Sequence, residues 1–215
     1  MNIITKDEYN QDIILDNSKI HQIMMEWEKP YMKKCIQKLN PFGDVLEVGF
    51  GFGYSATQIQ KYPINSYTLI ECDEAIYQKA LEWKEKKNYN HQINIIFDRW
   101  QNVCKYLPKF DCIFFDDYDT LTTQKNKSNN LCRNMVFATK ICNSFKKYTR
   151  LSFFCADNEK TINDYKLEWE FLFKQYNCKF YFDEYLVDIP QNCKYMKNKK
   201  LYCPLVEIKN VFNYC

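Results

Sequence analysis

The pattern of apolar and polar positions along the chain predicts alternating strands and helices. Short apolar runs between turn residues predict strands, and apolar residues three or four positions apart predict helices. The predicted strands are Asp44–Val48, Tyr67–Glu71, Ile93–Phe97, Cys112–Phe115, Leu151–Cys155, Lys179–Val187 and Leu201–Ile208. The predicted helices are Ile20–Gln37, Ser55–Gln60, Asp73–Lys87, Asn130–Phe145 and Asn163–Tyr176.

The order of these elements predicts the fold class. Strands and helices alternate from residue 44 onward, and a short loop joins the last two strands into an antiparallel hairpin. This order is typical of an α/β protein with a doubly wound, Rossmann-like sheet. We expect a single domain over residues 1–215, with an N-terminal helical cap over 1–40 that contributes to the active site and a catalytic core over 41–215. The polar segment Tyr118–Asn130 is predicted to be a mobile loop.

Glycine occurs at only four positions, and all of them fall within residues 43–53. Gly49, Gly51 and Gly53 follow the predicted strand Asp44–Val48 and precede a helix. A strand, a glycine-rich turn and a helix together bring backbone N–H groups close to a bound nucleotide. The spacing is G-x-G-x-G, whereas dinucleotide enzymes prefer G-x-G-x-x-G. An ordinary tight turn is the alternative interpretation.

Charge and composition exclude several functional classes. The chain carries 30 basic and 27 acidic residues, a balance too even to indicate nucleic-acid binding. No N/D-P-P-Y motif, signal-peptide pattern or membrane-spanning apolar run is present, so we expect a cytoplasmic protein without nucleic-acid or membrane partners. The 11 cysteines form no C-x-x-C pair, and only two histidines are present, so no zinc site is predicted and the thiols are expected to be reduced.

Trp27-Glu28-Lys29-Pro30-Tyr31-Met32 forms a W-E-x-P-Y-M element. It is the most specific of several motifs that resemble the guanidinoacetate N-methyltransferase family of class I methyltransferases, which use S-adenosylmethionine. Glu47 before G-x-G-x-G resembles methyltransferase motif I, and Phe115-Asp116-Asp117-Tyr118 follows the fourth strand of the β/α series. Pro190, Cys193, Tyr195 and Pro204-Leu205-Val206 are similar to the C-terminal hairpin of the family. Fungal arginine Nδ-methyltransferases carry a related element and a similar core.

The resemblance implies methyl transfer to a guanidino nitrogen of a small molecule or of a protein arginine. Glu28 and Asp116 would be the catalytic carboxylates that bind the guanidinium, orient one nitrogen and accept its proton. Taken alone, Glu28 could be a surface carboxylate of a helix, and Asp116 could be a loop residue at the sheet edge. The combination of the two favours the functional interpretation.

The resemblance also implies which residues bind the cofactor. Glu71 would accept the ribose hydroxyls, and the glycine loop would hold the methionine portion. For Met24, Met32 and Trp100, ordinary core packing is the alternative. The complete predicted set is Met24, Met32, Glu47, Gly49, Phe50, Gly51, Phe52, Gly53, Tyr54, Ser55, Glu71, Cys72, Asp73, Trp100 and Gln101.

The sequence departs from the family near the predicted acceptor site. Asp117 and Asp119 replace a threonine and a proline, and Asp157-Asn158 stands where the family presents a small polar turn to the acceptor carboxylate. Asp157 and Asn158 are the predicted substrate-binding residues of this turn. Since like charges repel, this acidic rim favours a cationic acceptor without a nearby carboxylate over guanidinoacetate.

A second functional class remains open from the sequence alone. The chain could be a non-catalytic protein of the methyltransferase fold that serves as an interaction module. The presence of all predicted cofactor and acceptor residues favours the enzyme. The sequence leaves the acceptor and the oligomeric state undetermined.

Overall fold

A computed structural model describes residues 1–86, 89–117, 132–156 and 161–209. The strands are β1 Ile3–Lys6, β2 Asp12–Leu15, β3 Gln22–Met25, β4 Gly43–Val48, β5 Ile64–Glu71, β6 Gln92–Phe97, β7 Phe110–Phe115, β8 Phe145–Phe153, β9 Cys155–Ala156, β10 Lys179–Leu186 and β11 Lys200–Lys209. The helices are α1 Lys29–Leu39, α2 Tyr54–Ile59, α3 Glu74–Glu85, α4 Trp100–Val103, α5 Arg133–Lys140 and α6 Ile162–Leu172. Single 3-10 turns cover Glu26–Glu28, Cys104–Tyr106, Cys142–Ser144 and Lys174–Tyr176.

An eight-stranded sheet carries the core, with the strand order β10-β11-β8-β7-β4-β5-β6 and β9 paired to β11. Strands β4 to β8 pair in parallel, whereas β11 is antiparallel to both β8 and β10. The predicted doubly wound α/β class with a C-terminal antiparallel hairpin is therefore confirmed.

The two faces of the sheet are covered by different helices. Alternate residues of a strand point to opposite faces, so Val45 of β4 packs in one buried cluster and Leu46 and Val48 pack in the other. The first cluster includes residues of α1, α2 and α3, and the second includes residues of α4, α5 and α6. The apolar residues of β4 are therefore buried on both faces of the sheet, as is typical of a central parallel strand.

Strand β4 lies between β5 and β7 at the point where the direction of winding reverses. Ligands of open α/β sheets bind outside the carboxyl ends of the strands at such a point. Backbone hydrogen bonds hold the strand ends together here: Gly49 donates to the Ile70 carbonyl at 2.9 Å, and Asp116 donates to the Val48 carbonyl at 2.9 Å. The fold therefore brings the glycine loop and the predicted site carboxylates Glu71 and Asp116 to one edge of the sheet.

The N-terminal region differs from the predicted helical cap. Strands β1, β2 and β3 form a separate antiparallel sheet, and the helix predicted from Ile20 begins only at Lys29. Pro30 explains this start, because proline lacks an N–H donor and is accommodated in the first turn of a helix but not in its interior. The residues before it pair with β2 instead, as Ile14 opposite Met24 illustrates.

Two other predicted boundaries are wrong. The helix predicted to reach Phe145 ends at Lys140, and strand β8 begins at Phe145 rather than at Leu151. Polar residues at the start of β8 interrupt the apolar pattern, so the sequence did not predict this part of the strand. In the fold these residues form hydrogen bonds and ion pairs. Lys146 lies 2.6 Å from both Asp44 and Asp111, and the Thr149 hydroxyl donates to the Phe110 carbonyl at 2.9 Å.

The part of the chain that the structure describes contains no helix long and apolar enough to span a membrane. In the same residues no group of His, Cys, Asp and Glu side chains is arranged to bind a metal ion. The described cysteines are all free thiols, and several, including Cys35 and Cys112, are fully buried.

Candidate active site

A continuous cleft opens at the carboxyl ends of β4, β5 and β7. It consists of two adjoining cavities of about 330 and 430 Å³, which share wall residues that include Gly49, Glu71 and Asp117. The first cavity is also lined by Glu28 and Asp116, and the second by Trp100 and Gln101. Glu28 and Asp116 therefore lie in the wall of one cavity and Trp100 and Gln101 in the wall of the other, with Gly49 in the wall of both.

Gly49 and Gly51 both line the cleft, and neither position has room for a side chain. Both have a positive φ, +85° and +52° respectively, which favours glycine. A Cβ atom at Gly49 would collide with the carbonyl oxygen of Asp116, and one at Gly51 would collide with the thioether sulfur of Met24. The loop backbone is thus exposed to the cleft and held close to two other predicted site residues.

Glu71 ends β5 with its side chain in the wall of the cleft. Its carboxylate accepts backbone hydrogen bonds from Phe50 at 2.9 Å and from Cys72 and Asp73 at 2.8 Å each. Burial raises its pKa, and these hydrogen bonds act in the opposite direction. A carboxylate has about four acceptor sites, so Glu71 keeps capacity for a ligand hydroxyl.

Glu28 is 4% exposed and ends the 3-10 turn that precedes α1. Its Oε1 atom accepts hydrogen bonds from the Met25 backbone at 3.0 Å and from the Tyr195 hydroxyl at 2.5 Å. Burial raises the pKa of Glu28 to about 8, with a further contribution from the charge of Asp116. These two donors leave Oε2 as the less occupied oxygen.

Asp116 follows β7 and faces the same cavity as Glu28. Burial raises its pKa to about 7, and the nearby charges of Asp117 and Glu71 add to the shift. Among the described residues, none donates a hydrogen bond to its carboxylate. Two carboxyl groups with raised pKa values therefore face one cavity, an arrangement that a bound cation would stabilise in the ionised form.

Four further predicted cofactor residues line the second cavity. Cys72 and Asp73 line both cavities, and Trp100 and Gln101 line the second. Asp73 also caps α3 by accepting hydrogen bonds from the Ala75 and Ile76 backbone. The N-terminal end of α3 therefore lies beside the second cavity.

Asp117, which the sequence places in an acidic rim, is paired with a basic residue in the structure. Its Oδ2 atom accepts hydrogen bonds from the Trp100 indole and from the guanidinium of Arg133, whose Nε lies at 3.1 Å. Arg133 opens α5 and lines both cavities. The positive charge of Arg133 offsets the negative charge of Asp117. Asp117 therefore gives less reason to expect that an acceptor carrying a carboxylate is repelled. Asp119, Asp157 and Asn158, and with them the predicted loop Tyr118–Asn130, lie outside the described residues.

Several predicted cofactor residues do not line the cavities in the described part of the structure. Glu47 is fully buried behind the glycine loop, where it accepts hydrogen bonds from the hydroxyls of Ser55 and Tyr67. Burial raises its pKa to about 8. Met32 is fully buried in α1. The remaining residues of this group are Phe50, Phe52, Gly53, Tyr54 and Ser55, which form the loop and the start of α2.

The structure adds wall residues that the sequence did not identify as site residues. Asn2 precedes β1, and Ile14 and Ile23 come from β2 and β3, in the region predicted as a helical cap. Arg133 and Tyr195 come from α5 and the loop before β11. Asp117, which departs from the family, could have indicated a basic residue that pairs with it. Tyr195 and Glu28 are 167 positions apart in the sequence, so no local pattern could have indicated their contact.

Comparison with known proteins identifies the family. The sequence profile described as guanidinoacetate N-methyltransferase matches residues 7–209. The chain belongs to this family. The predicted family and its class of cofactor, S-adenosylmethionine, are thereby confirmed.

Two relatives of this chain are fungal proteins. The protein arginine N-methyltransferase 2 of Candida glabrata is 29% identical over 127 residues, which cover 55% of this chain and 30% of the relative. The protein of the same name from Saccharomyces cerevisiae is 28% identical over 128 residues, with the same coverage. The chain thus matches less than a third of the length of either relative.

Solved structures with higher coverage agree in fold. Spermidine synthase from Thermotoga maritima superposes with a TM-score of 0.59 at 14% identity, covering 99% of this chain and 73% of that chain. TYW2 of M. jannaschii, in complex with AdoMet, gives a TM-score of 0.53 at 17% identity, covering 96% and 84%. At these identities the likeness establishes the Rossmann-like fold of class I methyltransferases.

Proposed function

We propose that the protein transfers a methyl group from S-adenosylmethionine to a guanidino nitrogen that is bound between Glu28 and Asp116. The observation that carries this proposal is the placement of both carboxyl groups in one cavity that continues along Gly49, Gly51 and Glu71. The family description and the names of the fungal relatives, guanidinoacetate and arginine methyltransferases, support the class of acceptor.

The cleft fits S-adenosylmethionine on three counts. Gly49 and Gly51 expose loop backbone to the cleft, Glu71 retains acceptor capacity for a hydroxyl, and Trp100 offers an aromatic side chain in the wall. Gly49 and Gly51 would lie along the methionine portion, Glu71 would accept a hydrogen bond from a ribose hydroxyl, and Trp100 and Gln101 would border the adenine. When bound, the cofactor supplies an electrophilic methyl group on a sulfonium, which leaves as the thioether S-adenosylhomocysteine.

The carboxylates solve the chemical difficulty of the acceptor. A guanidinium is planar and protonated, and it is therefore a poor nucleophile. Glu28 and Asp116 would hold it through charge-assisted hydrogen bonds and orient one nitrogen toward the methyl carbon. As the new C–N bond forms and the C–S bond breaks, that nitrogen must lose a proton. Asp116 is the better proton acceptor, since Glu28 Oε1 already accepts two hydrogen bonds.

The experiment that tests this function is an acceptor screen. The protein is incubated with methyl-labelled S-adenosylmethionine and, separately, with guanidinoacetate, agmatine and an arginine-containing peptide, and the products are identified by mass spectrometry. We expect a methylated product from at least one guanidino compound and none from matched ureido compounds, which lack the charge. Binding of S-adenosylhomocysteine without any methylated guanidino product would instead support a non-catalytic module.

We expect acceptor binding to strengthen as the pH rises from 6 to 9. Protons compete with the guanidinium for Asp116 and Glu28, whose pKa values are raised to about 7 and about 8. The guanidinium itself stays charged over this range. KM for the acceptor should therefore fall with pH, by up to about tenfold per unit for each carboxylate below its pKa. A KM that is flat from pH 6 to 9 would contradict the assignment.

The same shifts fix the sign of the pH effect on stability. Since the folded-state pKa values of Asp116, Glu28 and Glu47 are raised, the folded protein retains protons that the unfolded chain releases. Their stabilising contribution is complete below the pKa values of the unfolded chain, and it is lost as the pH rises through 7 and 8. Thermal unfolding of the ligand-free protein should accordingly show a lower Tm at pH 9 than at pH 6.

A further inference from the structure

We infer that Tyr195, held in place by Gln22, is a positioning residue that fixes the orientation of the Glu28 carboxylate for the acceptor. This inference rests on the proposed function of Glu28. It concerns a residue far from Glu28 in sequence, and it assigns Tyr195 no direct contact with the reacting atoms.

The first observation is the geometry at Glu28. The Tyr195 hydroxyl and the Met25 backbone N–H both donate to Oε1, at 2.5 and 3.0 Å. Two donors on the same oxygen fix the rotation of the carboxyl group. Oε2 is then the oxygen directed to a ligand, and a guanidinium hydrogen bond has one defined direction.

The second observation is how the Tyr195 side chain is held. Its ring stacks on Trp27, the neighbour of Glu28, with centroids 6.1 Å apart and an interplanar angle of 27°. Trp27 is itself 9% exposed and Tyr195 is partly buried, so the pair forms a packed wall next to the carboxylate. The ring position therefore depends on packing, and only the hydroxyl reaches Glu28.

The third observation is the attachment of the loop that carries Tyr195. The Gln22 side chain, 6% exposed, donates to the Asn192 carbonyl at 2.8 Å and accepts from the Lys194 N–H at 2.6 Å. The Asn192 side chain also donates to Asp7 at 2.9 Å. A buried amide with both ends engaged holds the loop at a fixed distance from β3. Since β3 also carries Met25, both donors to Glu28 are set by the same strand.

The test compares Tyr195→Phe with wild type. Phenylalanine keeps the stack on Trp27 and removes only the hydroxyl. Loss of a hydrogen bond to a charged group corresponds to a decrease of about 10- to 100-fold in kcat/KM for the acceptor. The Kd of S-adenosylhomocysteine should stay within about twofold of wild type. Gln22→Met should change kcat/KM in the same direction by a smaller factor.

The pH profile gives a readout that a purely structural role would not move. Donation by Tyr195 lowers the pKa of Glu28, so its loss should shift the fall of acceptor KM to higher pH. The other titratable groups that act on Glu28 or respond to its charge are Asp116, Cys193 and Tyr54, and they are unchanged in this variant. Tyr181→Phe, an exposed tyrosine of β10, serves as the control and should match wild type.

The outcomes separate this inference from the proposed function. If Glu28→Gln loses methyl transfer while Tyr195→Phe keeps the wild-type kcat/KM and pH profile, the positioning role is wrong. If Tyr195→Phe lowers Tm and weakens S-adenosylhomocysteine binding by the same factor by which it lowers kcat/KM, the residue is structural and the inference also fails. If Glu28→Gln retains full transfer, the proposed function of the carboxylate itself is wrong.

Discussion

Replacing Asp116 with asparagine is expected to lower kcat/KM for the guanidino acceptor by roughly 100- to 10,000-fold, the range for loss of a general base. Asparagine has nearly the same size, and the backbone hydrogen bond from residue 116 to Val48 does not involve the side chain. The variant removes both an acceptor for the guanidinium and the group that we propose takes its proton. Steady-state methyl transfer at several pH values is the measurement.

The binding of S-adenosylhomocysteine should survive this change. Removing one of several neighbouring carboxyl groups relieves repulsion, so Tm at pH 8 should not fall. Asp183→Asn is the matched control, since this carboxylate is exposed on β10 and pairs only with Lys38 in the described structure. Full activity in Asp116→Asn, or equal losses in both variants, would contradict the assigned role.

Replacing Gly51 with valine is expected to weaken S-adenosylhomocysteine binding by about 100-fold or more. Gly51 has φ of +52°, and any Cβ atom there would collide with the Met24 sulfur in the wall of the cleft. A β-branched residue in this backbone region is strained by about 1–3 kcal/mol. Either the loop or the Met24 side chain must therefore shift, and both line the cavity proposed for the cofactor. Titration calorimetry measures the loss of affinity.

Gly43→Val separates the effect on binding from the strain. Gly43 also has a positive φ, +63°, and its Cβ atom would collide with Asp111, but it begins β4 at the end opposite the glycine loop. We expect a comparable loss of Tm in both variants, and a loss of cofactor affinity only in Gly51→Val. The alanine pair, which adds only Cβ, provides the same comparison if a valine variant fails to fold. Equal affinities for the two variants would show that the glycine loop is misassigned.

The core of the fold and the position of the glycine loop were predictable because their signals are local. A glycine-rich turn between a buried strand and a helix is written in adjacent residues, and β4, the loop to Gly53 and α2 form as predicted to within one residue. The W-E-x-P-Y-M element identified Glu28, although its helix begins at Lys29 rather than near Ile20. The apolar spacing before Pro30 fits a helix, but pairing with β2 overrides that preference.

The sequence by itself determined the doubly wound fold, the family and most residues at the carboxyl ends of β4, β5 and β7, because each signal lies within a few consecutive residues. Only the tertiary structure decided how those residues are supported. It placed Arg133 against Asp117 and Tyr195 against Glu28, and it buried Glu47 behind the glycine loop. These contacts join residues on separate elements, and their geometry follows from how the sheet, the helices and the N-terminal strands pack. Such packing distances are not encoded in the spacing of residues along the chain.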